Sequence, residues 1–253
     1  MSNNLNNKYF EVVLKELNSL VESKSKGRES ELAESVYSSL IMDNKSEVTG
    51  LTRNDKEAFF IEKIFKGLSE IIGTRDSLNN IEFYIRKFPY DPKKTSRIDF
   101  LKYHIHNYLN EVYILKERLT KYSTIVIRAY RKSDNAKDMK SVISEAGKSA
   151  ATALEEIVGM RGGHVHDKRY SEESLDRLGM LEILSNSADE EETKRAYHYL
   201  YITGYRSERK GWVKRIRNSN IEIDKVIEKF TESFREQISP NEKIIYPSSS
   251  GWA

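Results

Sequence analysis

Residues 96–131, SRIDFLKYHIHNYLNEVYILKERLTKYSTIVIRAYR, decide the fold. Ile98, Leu101, Ile105, Tyr108, Val112, Leu115, Leu119, Tyr122 and Val126 succeed one another at steps of three or four, a helical period and not the alternation of a strand. The spacing predicts one long helix packed lengthwise on a neighbour. The four prolines are Pro89, Pro92, Pro240 and Pro247, so the chain from 93 to 239 is free of the strongest helix breaker.

A second long helix is expected from Asn135, with Asp138 three residues on as a capping-box-like pair, to about residue 160. Val142, Ile143, Ala146, Ala150, Leu154 and Ile157 mark its apolar face, and its small residues allow close approach of a neighbour. The fold expected is all-α: a helical bundle whose two long antiparallel central helices, about 96–131 and 136–160, are flanked by shorter ones. Weaker helices are expected at 7–24 and 29–43. Thr52 and Asp55 open another, carrying Phe60, Ile61, Ile64, Phe65, Leu68 and Ile71, with Gly73 as its C-cap. Downstream, Ser171 with Glu172 and Glu173 begins a helix carrying Leu175, Leu178, Leu181 and Leu184. Segments at 190–204 and 206–217 follow. A last helix has Ser219 and Glu222 as its box and Ile223, Val226, Phe230, Phe234 and Ile238 as its apolar face. Segment 87–97 reads as a loop and a seam, which divides the chain into an N-terminal helical extension (1–90), a main bundle (91–240) and an extended tail (241–253).

At 253 residues the chain can bury a sizeable core without staples. The absence of cysteine excludes disulfides, a thiol nucleophile and thiolate-held metals, and suits a reducing compartment. No leader pattern and no apolar run of about 18 residues is seen, so the expectation is a cytoplasmic protein with no membrane partner. Lys and Arg number 42 against 39 acids, a balance too even to argue nucleic-acid binding by itself. Walker loops, nucleophile elbows, zinc-protease helices and dinucleotide turns are missing, which leaves kinases, esterases, zinc proteases and dehydrogenases without a motif. No cofactor is called for.

Chemistry concentrates in Met160-Arg-Gly-Gly-His-Val-His-Asp-Lys-Arg-Tyr170, where two of the five histidines, three basic residues and paired glycines follow a well-patterned helix. If the face of Ala150, Leu154 and Ile157 continues, Arg161 falls on the packed side, where a guanidinium needs a partner. The plainer alternative is a turn: the glycines end one helix, Ser171 begins the next, and the histidines decorate the connection. The His-x-His pairs, His104/His106 and His164/His166, do not suit a metal on a helix, because positions i and i+2 diverge and no carboxylates accompany them at i, i+4.

Arg161 and His166 stand as Arg-x4-His after an Ala-rich helix that itself follows a long Tyr- and Leu-patterned one. In this the chain resembles the HEPN superfamily over roughly residues 95–240. The family usually has a polar residue, often Asn, directly after the arginine; here Gly162 stands there. The resemblance implies a helical bundle that forms a homodimer with two motifs facing across a cleft and, in active members, RNA cleavage without metal. It assigns His166 as general acid/base and Arg161 as phosphate clamp, with His164 a second candidate imidazole and Lys168, Arg169 and Tyr170 as substrate contacts. Family members of toxin or phage-defence type are often paired with a separate restraining nucleotidyltransferase antitoxin. A degenerate member would keep the fold and only grip RNA or another protein.

Two basic tracts extend the RNA expectation. Residues 194–217 hold Lys194, Arg195, Arg206, Arg209, Lys210, Lys214, Arg215 and Arg217 against Glu208 alone, interleaved with Tyr199, Tyr201, Tyr205 and Trp212. Of these, Arg206, Arg209, Lys210 and Trp212 are the candidate substrate contacts, cations for the backbone and an aromatic ring for a base. Residues 86–132 hold twelve Lys and Arg against four acids. Ordinary helix solubilisation with the aromatics in the core is the competing account of both tracts.

Overall fold

The computed structural model describes residues 7–25, 56–87, 94–159 and 173–247. The fold is all-α. Six helices stand among the described residues: α1 (Lys8–Ser25), α2 (Lys56–Lys87), α3 (Arg97–Ala129), α4 (Ala136–Gly159), α5 (Glu173–Ser187) and α6 (Glu191–Ile238), and no strand occurs among them. The helix expected at 29–43 and the starts expected at Thr52, Asp55 and Ser171 lie outside the described residues.

Each helix starts where local chemistry lets it. The Asn7 carboxamide oxygen accepts the Phe10 amide at 3.1 Å and caps α1, and Ser96 Oγ accepts the Asp99 amide at 3.0 Å and caps α3. Chain reversal at 130–135 is made by successive short-range bonds, Ser133 N to Tyr130 O and Ala136 N to Ser133 O.

The chain divides into two compact units, neither contiguous in sequence. The first comprises residues up to Ile71, Arg118–Ala151 and Ile227 onward. Its core is aromatic: Tyr9, Phe60, Tyr122, Tyr130, Phe230 and Phe234 are all buried. Tyr9 and Tyr122 share a hydroxyl hydrogen bond of 3.0 Å, and burial raises the pKa of both phenols. Gly67 makes room for this pair, since a Cβ there would lie 2.6 Å from Tyr122 Cδ2. Here α3 and α4 form an antiparallel hairpin in which Gly147 approaches Ser123; an added Cβ would lie 2.7 Å from its Oγ. Beyond α6 the backbone turns at Glu242 (φ 57°), and Ile245 N donates to Ile238 O at 2.8 Å. Ile244 is buried, and Tyr130 and Tyr246 bond Ile245 O and Glu16, so this non-helical stretch is held at several points.

The second unit comprises Ile72–Glu117 and Thr152–Val226. Leu78, Ile81, Ile85, Leu101, Ile105, Val112, Leu154, Leu175, Trp212 and Ile216 are buried in its apolar interior. Several polar groups inside it are paired: Tyr108 OH donates to Asn220 Oδ1 at 2.8 Å, and Arg75 grips Asp224 through Nε at 2.8 Å and Nη2 at 3.0 Å. That carboxylate raises the Arg75 pKa further.

Three local expectations are corrected. Gly73 is not a C-cap: α2 continues through it to Lys87, because Leu78, Ile81 and Ile85 extend the buried stripe. The segments expected at 190–204, 206–217 and 219–238 are one helix, α6, of 48 residues. On α5 the buried stripe holds Leu175 and Leu178, but Leu184 is 42% exposed along with Met180 and Ile183.

Candidate functional site

The Arg-x4-His segment connects α4 to α5. Arg161, His164, His166, Lys168, Arg169 and Tyr170 all lie outside the described residues. Their described flank is α4, whose last apolar positions, Leu154 and Ile157, are buried. Arg161 is the fourth residue after Ile157.

The basic tract on α6 divides into three kinds of residue. Arg206 and Lys210 are exposed. Arg209 donates from Nε to Ile85 O at 2.8 Å and from Nη2 to Arg86 O at 2.6 Å, so its guanidinium satisfies carbonyls at the C-terminal end of α2. Arg217 holds Glu82 at 2.8 Å. Trp212 is completely buried, with the Arg215 guanidinium 4.6 Å from its ring centroid. A ring enclosed in this way offers no face to a base, so Trp212 is a core residue, as are Tyr201 and Tyr205; Tyr199, 70% exposed, is not.

Residues 86–132 are likewise partly engaged. Lys102 pairs with Asp176 at 2.6 Å, Lys116 with Glu155 at 2.6 Å, and Arg118 donates to Glu70 O at 2.8 Å. Arg97 lies 5.8 Å from the Tyr205 ring centroid. Arg86, Lys87, Lys121, Arg128, Arg131 and Lys132 are exposed.

The second unit also carries an aromatic group that the periodicity does not single out. Phe83 and Tyr84, near the end of α2, have ring centroids 6.1 Å apart; Tyr84 lies 6.0 Å from His104 on α3, and His104 lies 5.3 Å from Tyr103 and 4.5 Å from Phe100. Phe83 is 50%, Tyr84 36% and Tyr103 67% exposed, whereas His104 is buried. The buried imidazole Nδ1 has no hydrogen-bond partner, and burial lowers the His104 pKa. The available signal was phase: Tyr103 falls between the buried positions Leu101 and Ile105, outside the stripe that fixes α3.

A cleft of about 690 Å³ opens between the start of α3 and α5, lined among others by Lys94, Lys102, Asp176, Met180 and Ile183. Its Lys102–Asp176 pair joins the two helices. Among the described residues no three His, Asp or Glu side chains are grouped to hold a metal ion, and no helix is long and apolar enough to cross a membrane. Compared with protein-family models, curated proteins and solved structures, the chain matches none.

Proposed function

We propose that the chain is a metal-independent endoribonuclease of HEPN type, acting as a homodimer in toxin or phage defence. The observation that carries this reading is positional: Arg161 follows two residues after α4, the partner of the long helix α3, in an all-helical chain. Arg161 and His166 are the residue types such cleavage needs. A neutral imidazole takes the proton from a ribose 2′-OH, the 2′-oxygen attacks the adjacent phosphorus, and the bond to the 5′-oxygen breaks with protonation of the leaving group. A guanidinium stays charged and holds the phosphate in a fork while negative charge develops. His164 is the second imidazole available for these transfers. Lys168, Arg169, Arg206 and Lys210 would bind the backbone, and Tyr170 a base. A separate nucleotidyltransferase is the partner class proposed to restrain it.

The deciding experiment is incubation of purified protein with total RNA in excess chelator. The expected result is cutting that leaves 2′,3′-cyclic phosphate ends in the wild type and at least a hundredfold less in Arg161→Ala and His166→Ala, the usual scale for a lost general acid/base. Cutting undiminished in both variants refutes the assignment.

A non-catalytic RNA- or protein-binding module is the second reading. It is favoured by the engagement of Arg209 and Arg217 in contacts of the second unit, which leaves fewer cations for substrate. Absence of cutting by well-folded wild type, with RNA binding retained, would select it.

A further inference from the structure

The exposed rings of the second unit form a surface. Phe83, Tyr84, His104 and Tyr103 follow one another at centroid separations of 6.1, 6.0 and 5.3 Å, bridging the end of α2 and the start of α3. Three of them are at least one-third exposed, a concentration of large exposed aromatic area at one end of a helix pair. His104, more than nine-tenths buried, underpins the rings that flank it.

The charge beside these rings is positive. Lys87 stands four residues after Phe83 and three after Tyr84, on the same side of α2, and both Arg86 and Lys87 are exposed. Arg209, at the same helix end, is engaged within the unit by its bonds to Ile85 O and Arg86 O. Against them stand Asp99, one turn before Tyr103, and Glu82, which Arg217 holds at 2.8 Å.

From this combination we infer that Phe83, Tyr84 and Tyr103, with Arg86 and Lys87, form a stacking platform for single-stranded RNA. Unpaired bases lie on the rings while the cations meet the phosphates. A duplex hides its base faces and does not fit. The inference rests on the reading of the chain as an RNA-handling protein, and assigns that reading a binding surface outside the Arg-x4-His segment.

The test is fluorescence anisotropy with a labelled 2′-O-methyl oligouridylate, which binds but cannot be cut. Phe83→Ala and Tyr103→Ala should each weaken binding by about tenfold, the loss of one stacked base. Phe83→Leu and Tyr103→Leu keep apolar bulk and lose stacking, so they should weaken binding too and keep the test readable if an alanine variant unfolds. Arg86→Gln with Lys87→Gln should flatten the salt dependence of binding. Unlabelled duplex should compete poorly. Oligonucleotide affinity unchanged in all these variants overturns the inference and assigns the surface to a protein partner; so does absence of binding by the wild type. RNA cutting lost in His166→Ala alongside unchanged Phe83→Ala binding sinks the platform and leaves the nuclease. Weakened Phe83→Ala binding without any cutting does the reverse.

Discussion

Two glycines of one helix should respond to the same substitution with opposite sign. Gly73 is on the exposed side of α2, and a Cβ added there meets nothing within 4 Å. Replacing it with alanine therefore recovers the helix propensity that glycine forfeits, about 0.8–1.0 kcal/mol. For a chain of this size that is a rise in melting temperature of about 2–4 °C. Gly67, less than two turns earlier, would place its new Cβ 2.6 Å from Tyr122 Cδ2 and 3.1 Å from Cε2. That ring cannot move aside freely: its hydroxyl is bonded to Tyr9, and Phe230 and Phe234 lie 6.2 and 5.1 Å from its centroid. Overpacking of this kind costs about 1–3 kcal/mol. The propensity gain is common to both variants, so the difference between them isolates the overpacking cost.

Urea unfolding followed by circular dichroism reads that difference, provided the slope of free energy with denaturant is unchanged. Gly73→Ala should unfold later than wild type and Gly67→Ala earlier. A lower midpoint for Gly73→Ala would refute a helix continuous through residue 73, because alanine at a left-handed C-cap is strained. A higher midpoint for Gly67→Ala would refute the packing of Tyr122 against α2.

Arg209→Ala should lower stability by about 2 kcal/mol, the scale of hydrogen bonds from a charged donor, and leave the salt dependence of RNA binding unchanged; a flatter dependence at unchanged stability would return Arg209 to the substrate surface. For His104 the folded pKa lies below the ordinary value, so the unfolded chain takes up the proton first. Its contribution to stability is whole above about pH 6.5 and falls as pH drops through that value. Urea midpoints near pH 8 and near pH 5.5 should therefore differ more for wild type than for His104→Gln, and equal differences would contradict the burial of an unpaired imidazole.

Much of the fold was legible because burial writes itself into spacing. The nine stripe positions of α3 are all buried, and α4 begins immediately after Asn135. What spacing does not carry is the partner of each exposed cation. Arg209 and Lys210 are neighbours in sequence and alike in charge, yet one closes the carbonyl end of α2 and the other faces solvent. Only the position of Ile85 and Arg86, more than a hundred residues away in the chain, separates them. The two units were hidden for a related reason: each gathers stretches distant in sequence, and no change of period marks a point where α2, α3, α4 or α6 passes from one to the other.

The length of α6, by contrast, is written in the spacing. Gly204, Gly211 and Ser219 invite breaks there, yet Tyr201, Tyr205, Glu208, Trp212, Ile216, Asn220, Ile223, Ile227, Phe230, Phe234 and Ile238 run at steps of three or four with no slip of phase. All but Glu208 are buried, and Glu208 has a buried carboxylate oxygen. Two interior glycines cost a helix about 2 kcal/mol together, whereas burying the Trp212 and Ile216 side chains returns about 2–3 kcal/mol each. The stripe outweighs the breakers, and Gly204 even serves it: a Cβ there would lie 2.5 Å from Leu178 Cδ2, so glycine is what lets α5 and α6 approach. The same phase decides the aromatics. Tyr201, Tyr205 and Trp212 are in register with the isoleucines and phenylalanines that follow and belong inside, while Tyr199 is out of register and lies outside.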